Sequence, residues 1–256
     1  VLSPPTRGAR YYYKIDGDDA TRSFVAPPAP ERRDLKFAVW GDLASSNPRG
    51  AEGGSTIAYL QARDDVELWW HAGDVSYADD AFLHPECFAR FCYEARWDAF
   101  LEEMEAAGAD SIPYMVAPGN HEADCHDPAC VARYEQYARP LANFSAYNAR
   151  FRMPSAESGA RALNMHYSFE VGPVHFVSLD TETGYPGAPE RTRYVFPCGG
   201  FGDMLAWLEA DLARVDRAAT PWVFVAGHHP MYQGGLRNAR MADALEGLLR
   251  EYRVDA

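Results

Sequence analysis

An α/β fold is predicted for this chain from residue 35 onward, and three observations carry it. Short apolar runs alternate with amphipathic segments, the order expected of strands joined by helices. Four of the apolar runs end in Gly followed by Asp, Asn or His. The 256 residues are 47% hydrophobic, which provides for a buried core without covalent staples.

Before residue 35 the chain reads differently. Residues 9–15 and 21–25 have strand composition and flank the turn-forming Asp16-Gly17-Asp18-Asp19, which predicts one β-hairpin. Two strands do not stand alone, and Ala26-Pro27-Pro28-Ala29-Pro30 reads as a linker. Residues 1–34 are therefore expected to be the trailing part of a β-domain plus linker, and 35–256 a second, α/β domain.

In that domain Leu35-Lys36-Phe37-Ala38-Val39-Trp40 is the first strand, and Ser55 is a plausible N-cap for a helix through Ile57, Tyr59 and Leu60. Val66-Glu67-Leu68-Trp69-Trp70 is a second, buried strand. Trp97, Phe100, Leu101 and Met104 have helical spacing, with Gly108 as the stop. Ile112-Pro113-Tyr114-Met115-Val116 is the third strand, and a helix carries Val131, Tyr134 and Tyr137. Residues 165–171 and 174–179, split by Gly172-Pro173, form a hairpin. An amphipathic helix runs through Leu205, Leu208, Leu212 and Val215, Trp222-Val223-Phe224-Val225 is a strand, and the last helix uses Met241, Leu245, Leu248 and Tyr252. There is no internal repeat or low-complexity segment.

Composition excludes several functions. A formal net charge of −13, with Lys14 and Lys36 as the lysines, lacks the clustered positive charge that a nucleic-acid face needs. No apolar run approaches the ~20 residues of a membrane helix, so a soluble globular protein with no membrane span is expected. The five cysteines fall as Cys87 with Cys92, Cys125 with Cys130, and Cys198. They fit two short-loop disulfides plus a thiol whose partner lies elsewhere, or reduced intracellular thiols. A zinc site fits less well, because the spacing is wide and His126 alone does not complete a ligand set. The sequon Asn143-Phe144-Ser145 favours a secreted, extracellular, vacuolar or lysosomal glycoprotein.

The strand ends carry the chemistry. Trp40 is followed by Gly41-Asp42, Trp70 by His71-Ala72-Gly73-Asp74, Val116 by Ala117-Pro118-Gly119-Asn120-His121, and Val225 by Ala226-Gly227-His228-His229. In open α/β sheets ligands bind beyond the carboxyl ends of strands, so these side chains are expected to converge. Oxygen and imidazole donors without thiolate suit iron, manganese or zinc, and a carboxylate bridging two such ions suits phosphoryl displacement. Taken singly, each Gly-Asp is more often a turn. His71 and His175, on apolar strands, read as core or supporting histidines, and Asp79, Asp80 and Glu122 as solvated or supporting.

Gly41-Asp42, Gly73-Asp74-Val75-Ser76-Tyr77, Gly119-Asn120-His121-Glu122 and Val225-Ala226-Gly227-His228 together resemble the first four blocks of the metallophosphoesterase signature, in family order. Tyr77, three residues after Asp74, resembles the purple acid phosphatases within that superfamily. Asn164-Met165-His166-Tyr167-Ser168-Phe169, Val174-His175-Phe176-Val177 and Asp180-Thr181-Glu182 are further matches. The resemblance implies a β-sandwich core flanked by helices (α/β/β/α), preceded by the last strands of a fibronectin type III-like domain. It implies that Asp42 and Tyr77 bind Fe3+, that Asp74 bridges, and that Asn120 and His228 bind a second divalent metal (Zn2+, Mn2+ or Fe2+). His121 is then the catalytic residue facing a small phosphorylated substrate. The reaction is hydrolysis of a phosphate monoester, with hydroxide on the metals as nucleophile. The alternatives are a phosphohydrolase for diesters, phytate or nucleotides, or an inactive binding protein on the same fold.

The sequence departs from the family pattern in four places. Leu43-Ala44 follows Asp42 where x-Gly is usual, and His166 stands where Trp is common. Arg237 and Asn238 occupy the neighbourhood, several residues after His228, in which plant relatives place a further substrate-facing His; with His229 they are the substrate-binding candidates. The last block, Gly-His-x-His, is absent before Ala256. A fragment missing sequence at both ends, with weak metal retention and little phosphatase activity of its own, is expected.

Overall fold

The computed structural model describes residues 5–43, 52–87, 90–123, 125–190 and 198–256. Strands β1 (Arg10–Tyr13) and β2 (Arg22–Val25) form the expected antiparallel hairpin. It is tied to the following domain by Tyr13, whose hydroxyl donates to the Asp110 carbonyl at 2.7 Å, and by Arg22, 2.6 Å from Glu105. Ala26 and Pro28 of the proline-rich segment are buried rather than solvated, with Pro28 against Gly172.

Strands β3 (Phe37–Trp40), β4 (Leu68–Ala72) and β5 (Tyr114–Ala117) form one parallel sheet in the order β3-β4-β5. Helix α1 (Glu52–Gln61) connects the first two strands and α2 (Tyr93–Met104) lies between the next two. Ser55 lies inside α1 and not at its N-cap, because the helix already runs through Gly53 and Gly54, which sequence patterning treats as a break. The break after α2 falls at the expected glycine: a π-helical turn (Glu105–Ala109) contains Gly108, whose φ of 118° is unfavourable for a residue with a Cβ.

The helix expected over Val131, Tyr134 and Tyr137 is broken. Helix α3 (Asn120–Ala123) is followed by α4 (Pro128–Ala132), which Asp127 caps; the chain then turns at Arg133 and re-forms α5 (Ala138–Leu141). Tyr137 stacks on Phe91 at 4.1 Å, so tertiary packing takes precedence over continuing the helix. Helix α6 (Ser145–Arg150) was not foreseen.

The second sheet holds the antiparallel hairpin β6 (Tyr167–Val171) and β7 (Val174–Ser178), with β8 (Trp222–Ala226) parallel to β7. Helices α7 (Met204–Leu212) and α8 (Ala239–Glu251) start on Asp203 and Asn238, whose side chains accept a backbone N–H from the first turn. Between β8 and α8 a short, unforeseen hairpin pairs β9 (Tyr232–Gln233) with β10 (Leu236–Arg237).

The two three-stranded sheets face each other through aromatic rings, with Phe37 and Phe176 at 5.0 Å, Trp70 and Phe176 at 5.3 Å, and Phe37 and Phe224 at 5.6 Å. This shared layer also buries Leu68, Val171 and Val174. Trp69, Trp97, Phe100 and Met104 join α1 and α2 to the outer face of the first sheet. Val177, Leu208, Val223, Met241 and Leu245 join α7 and α8 to the second. The layers are therefore helix, sheet, sheet, helix. Two disulfides close five-residue separations, Cys87 to Cys92 and Cys125 to Cys130, and Cys198 is buried.

Candidate metal centre

Parallel register brings the strand ends level. Trp40 pairs with His71 and Ala72 with Ala117, so the residues that follow β3, β4 and β5 leave the sheet at one edge. Asp42 N–H donates to the Gly73 carbonyl and Leu43 N–H to the Asp74 carbonyl, both at 3.1 Å, binding the first two loops together. Leu43 is buried; Ala44, where the family pattern has Gly, is outside the described residues.

Two glycines are needed for this approach. A Cβ on Gly73 (φ 85°) would lie 2.5 Å from the His228 Cβ, and one on Gly119 would lie 2.3 Å from Asp74 N and Oδ1. Three residues without that freedom also adopt left-handed backbone: Asp42 (φ 56°), Asp74 (φ 53°) and Tyr77 (φ 52°).

Their side chains converge. The Tyr77 hydroxyl donates to Asp42 Oδ1 at 2.8 Å and lies 3.1 Å from Asp74 Oδ2. On the other side of Asp74, His228 Nε2 lies 3.2 Å from Asp74 Oδ2 and 3.2 Å from Asn120 Oδ1. His228 Nδ1 is 3.0 Å from the Ala72 carbonyl, which can only accept, so Nδ1 carries the proton and Nε2 can offer a lone pair to the cluster. The residues predicted at the four strand ends, together with Tyr77, thus meet although Asp42 and His228 stand 186 positions apart in the chain.

The electrostatics fit a cation. Burial pushes the Tyr77 phenol well above its ordinary value, and the carboxylates of Asp74 and Asp42 push it further. Burial alone would lower His228, but the Asp74 carboxylate outweighs it and holds the imidazole up at about 9. Phenol and imidazole keep their protons because they face anionic oxygen. A divalent or trivalent ion in the same place would replace those protons and satisfy every donor.

Glu122 orders this arrangement. Its buried carboxylate accepts backbone N–H bonds from Asp74 (3.0 Å), Val75 (2.9 Å) and Gly119 (2.9 Å), clamping the β4 loop to the β5 loop. Burial and the nearby Asp74 charge push its carboxyl upward. Of the two readings, solvated or supporting, Glu122 takes the supporting one, and so does Asp79. That carboxylate is wholly buried and lies 2.9 Å from Nδ1 of both His121 and His126. Asp80, partly buried, is 3.1 Å from His126 Nδ1. A sequence pattern cannot foresee burial that depends on a partner about forty residues away.

His121 lies over the Tyr77 ring at 4.1 Å, with Nε2 3.8 Å from Asp74 Oδ2. Burial disfavours its charged form, but Asp79 prevails and holds it up at about 9. His229 is half exposed, with Nε2 3.1 Å from Glu182 Oε2 and its backbone N–H on the Thr181 hydroxyl at 2.8 Å. The other substrate-binding candidates are engaged elsewhere: Arg237 pairs with Asp243 (2.6 Å) and Glu246 (3.3 Å), and the Asn238 side chain caps α8.

The bystander histidines stay out of the cluster. Nδ1 of His71 is 2.7 Å from the Tyr114 hydroxyl, and burial pushes the ring down to about 3. His166 packs on Trp207 at 4.9 Å and is pushed by burial down to about 4, consistent with a packing position. His175 lies 2.9 Å from Asp211, which also accepts from Ser168 at 2.7 Å. That buried network was not foreseen, nor were the His126 and Glu182 contacts.

Residues 35–256 match the family model described as calcineurin-like phosphoesterase. The chain is 33% identical to Acid phosphatase A of Cryphonectria parasitica, with all of this chain and 60% of that protein aligned. It is 32% identical to the probable purple acid phosphatase 20 of Arabidopsis thaliana, where all of this chain covers 51% of the relative. It therefore spans about half to three-fifths of those curated relatives. Its fold resembles that of a purple acid phosphatase from yellow lupin (Lupinus luteus) seeds, with TM-score 0.63 at 20% identity over 92% of this chain and 39% of that one. A dimetal phosphatase from Danio rerio aligns with TM-score 0.50 at 16% identity, over 85% and 77% of the two chains.

Proposed function

The chain belongs to the calcineurin-like phosphoesterase family, and on that premise we propose that it forms the catalytic part of a metal-dependent acid phosphatase acting on small phosphate monoesters. The observation that carries this reading is the Tyr77 hydroxyl within 2.8 Å of Asp42 and 3.1 Å of Asp74, with His228 and Asn120 gathered on the other side of Asp74. Asp42 and Tyr77 would hold Fe3+, and Asn120 and His228 a second ion (Zn2+, Mn2+ or Fe2+), with Asp74 between them. When bound, the two ions would neutralise phosphate charge and make water a stronger acid.

The chain's own residues would do the rest. His121, its Nδ1–H on Asp79 and its Nε2 toward the cluster, holds a proton that it can pass to the departing alkoxide. Glu122 fixes the loop spacing on which that geometry depends. His229, steadied by Glu182, stands at the rim as the substrate contact best supported by geometry. Two disulfides and the exposed sequon asparagine Asn143 favour a secreted or vacuolar glycoprotein.

Reconstitution with iron and zinc tests the assignment. Ferric protein should show a visible phenolate-to-iron band that Tyr77→Phe removes; a band that survives this change would refute Tyr77 as ligand. Ranking kcat/KM over an aryl monoester, a diester, phytate and a nucleotide should place the monoester first, and a diester in first place would overturn the substrate class.

A further inference from the structure

Beside the cluster, on the opposite edge of the His121 ring, four side chains form a separate donor set. Nδ1 of His121 lies 2.9 Å from Asp79 Oδ2, and Nδ1 of His126 lies 2.9 Å from the same oxygen and 3.1 Å from Asp80 Oδ1. One donor atom from each of the four falls within 4.8 Å of all the others. From these contacts we propose that Asp79, Asp80, His121 and His126 form an additional divalent-cation site of the zinc class.

The chemistry of the donors selects the ion. Two imidazole nitrogens and two carboxylate oxygens make a four-coordinate set of the kind zinc takes. With bonds of about 2.0–2.1 Å, tetrahedral ligands stand about 3.3 Å apart. The three contacts of 2.9–3.1 Å need to open by a few tenths of an ångström, and the other donor pairs, within 4.8 Å, need to draw in on the ion. A proton satisfies the group less well. A single Nδ1–H on His126 has to be shared between Asp79 and Asp80, which weakens each bond, whereas a cation between them serves both.

The site is held from behind and open in front. The Asp79 carbonyl accepts the Asp127 N–H at 3.0 Å, Asp127 caps α4, and the Cys125–Cys130 disulfide flanks His126 on the chain. Asp79 is fully buried, while the Asp80 and His126 side chains keep 25% and 19% of their exposure, which gives an ion a path in. Occupation would replace the Nδ1 proton of His121 and leave Nε2 toward Asp74. The proposal stands whether or not the neighbouring cluster hydrolyses phosphate esters.

Calorimetric Zn2+ titration of chelator-stripped protein tests it, comparing the wild-type chain with His126→Ala, Asp80→Asn and Asp42→Asn. One equivalent should vanish, or bind at least tenfold more weakly, in the first two variants and persist in Asp42→Asn. In Asp42→Asn, Zn2+ should also shift the ring-nitrogen NMR signals of His126. Unchanged stoichiometry and affinity in both His126→Ala and Asp80→Asn would overturn the site. Melting curves in EDTA verify folding, and Asp80→Asn, a near-isosteric change, decides the matter if His126→Ala does not fold.

Discussion

Replacing Glu122 should cost more stability than any surface carboxylate, because among the described residues its side chain is the sole acceptor for three backbone N–H groups. Each buried donor left without a partner costs about 1–3 kcal/mol. Glu122→Ala strands those of Asp74, Val75 and Gly119. Water can enter the space and recover part, so a loss near the lower end, about 3–4 kcal/mol, is expected. For a domain of this size that is roughly 6–16 °C in melting temperature. Glu122→Gln keeps one oxygen for Asp74 and Gly119 but turns an amide NH2 toward the Val75 N–H, so about 1–2 kcal/mol should go. Denaturant unfolding of both variants gives the two values. A further expectation is metal affinity lowered about 10–100-fold in Glu122→Ala, since the loop that carries Asp74 is no longer clamped. A Glu122→Ala stability within about 0.5 kcal/mol of wild type, or a Gln variant less stable than the Ala one, would show that these three bonds do not hold the loops.

Asp79 and Asp74 hold His121 and His228 at about 9 in metal-stripped protein, above the ~6.5 of an unfolded histidine. Stabilisation of this sign is complete below about pH 6.5 and lost as pH rises through 9; denaturant midpoints should fall across that window, and midpoints that climb would contradict the pairing. Asp211→Ala removes the acceptor shared by His175 and Ser168, and unfolding should show a loss of about 3 kcal/mol or more. Opening Cys125–Cys130 by paired Ser substitution releases a short loop and should cost about 2 kcal/mol, a value that thermal melts with and without reductant can check.

What the sequence made legible was the periodic part and the strand ends. Gly-Asp and Gly-Asn-His after apolar runs mark where parallel strands stop, and parallel register does the rest by aligning Trp40 with His71 and Ala72 with Ala117. Less legible was anything set by a distant partner. Asp79 reads as solvated or supporting, and only the approach of His121 and His126 decides between the two. Tyr134 and Tyr137 read as a helix face until Phe91 draws Tyr137 aside. Asn238 carried a local helix-start signal, and the structure uses it as a cap rather than toward substrate.

The left-handed backbone at Asp42, Asp74 and Tyr77 sets stability and function against each other at the same three positions. Each costs about 1 kcal/mol or more against an ordinary conformation, and glycine would relieve it while deleting a donor. Selection for a sturdier fold alone would therefore erode this cluster first. The side-chain donors account for non-glycine residues at these three positions, which are therefore where a thermostabilised variant is prone to fall silent.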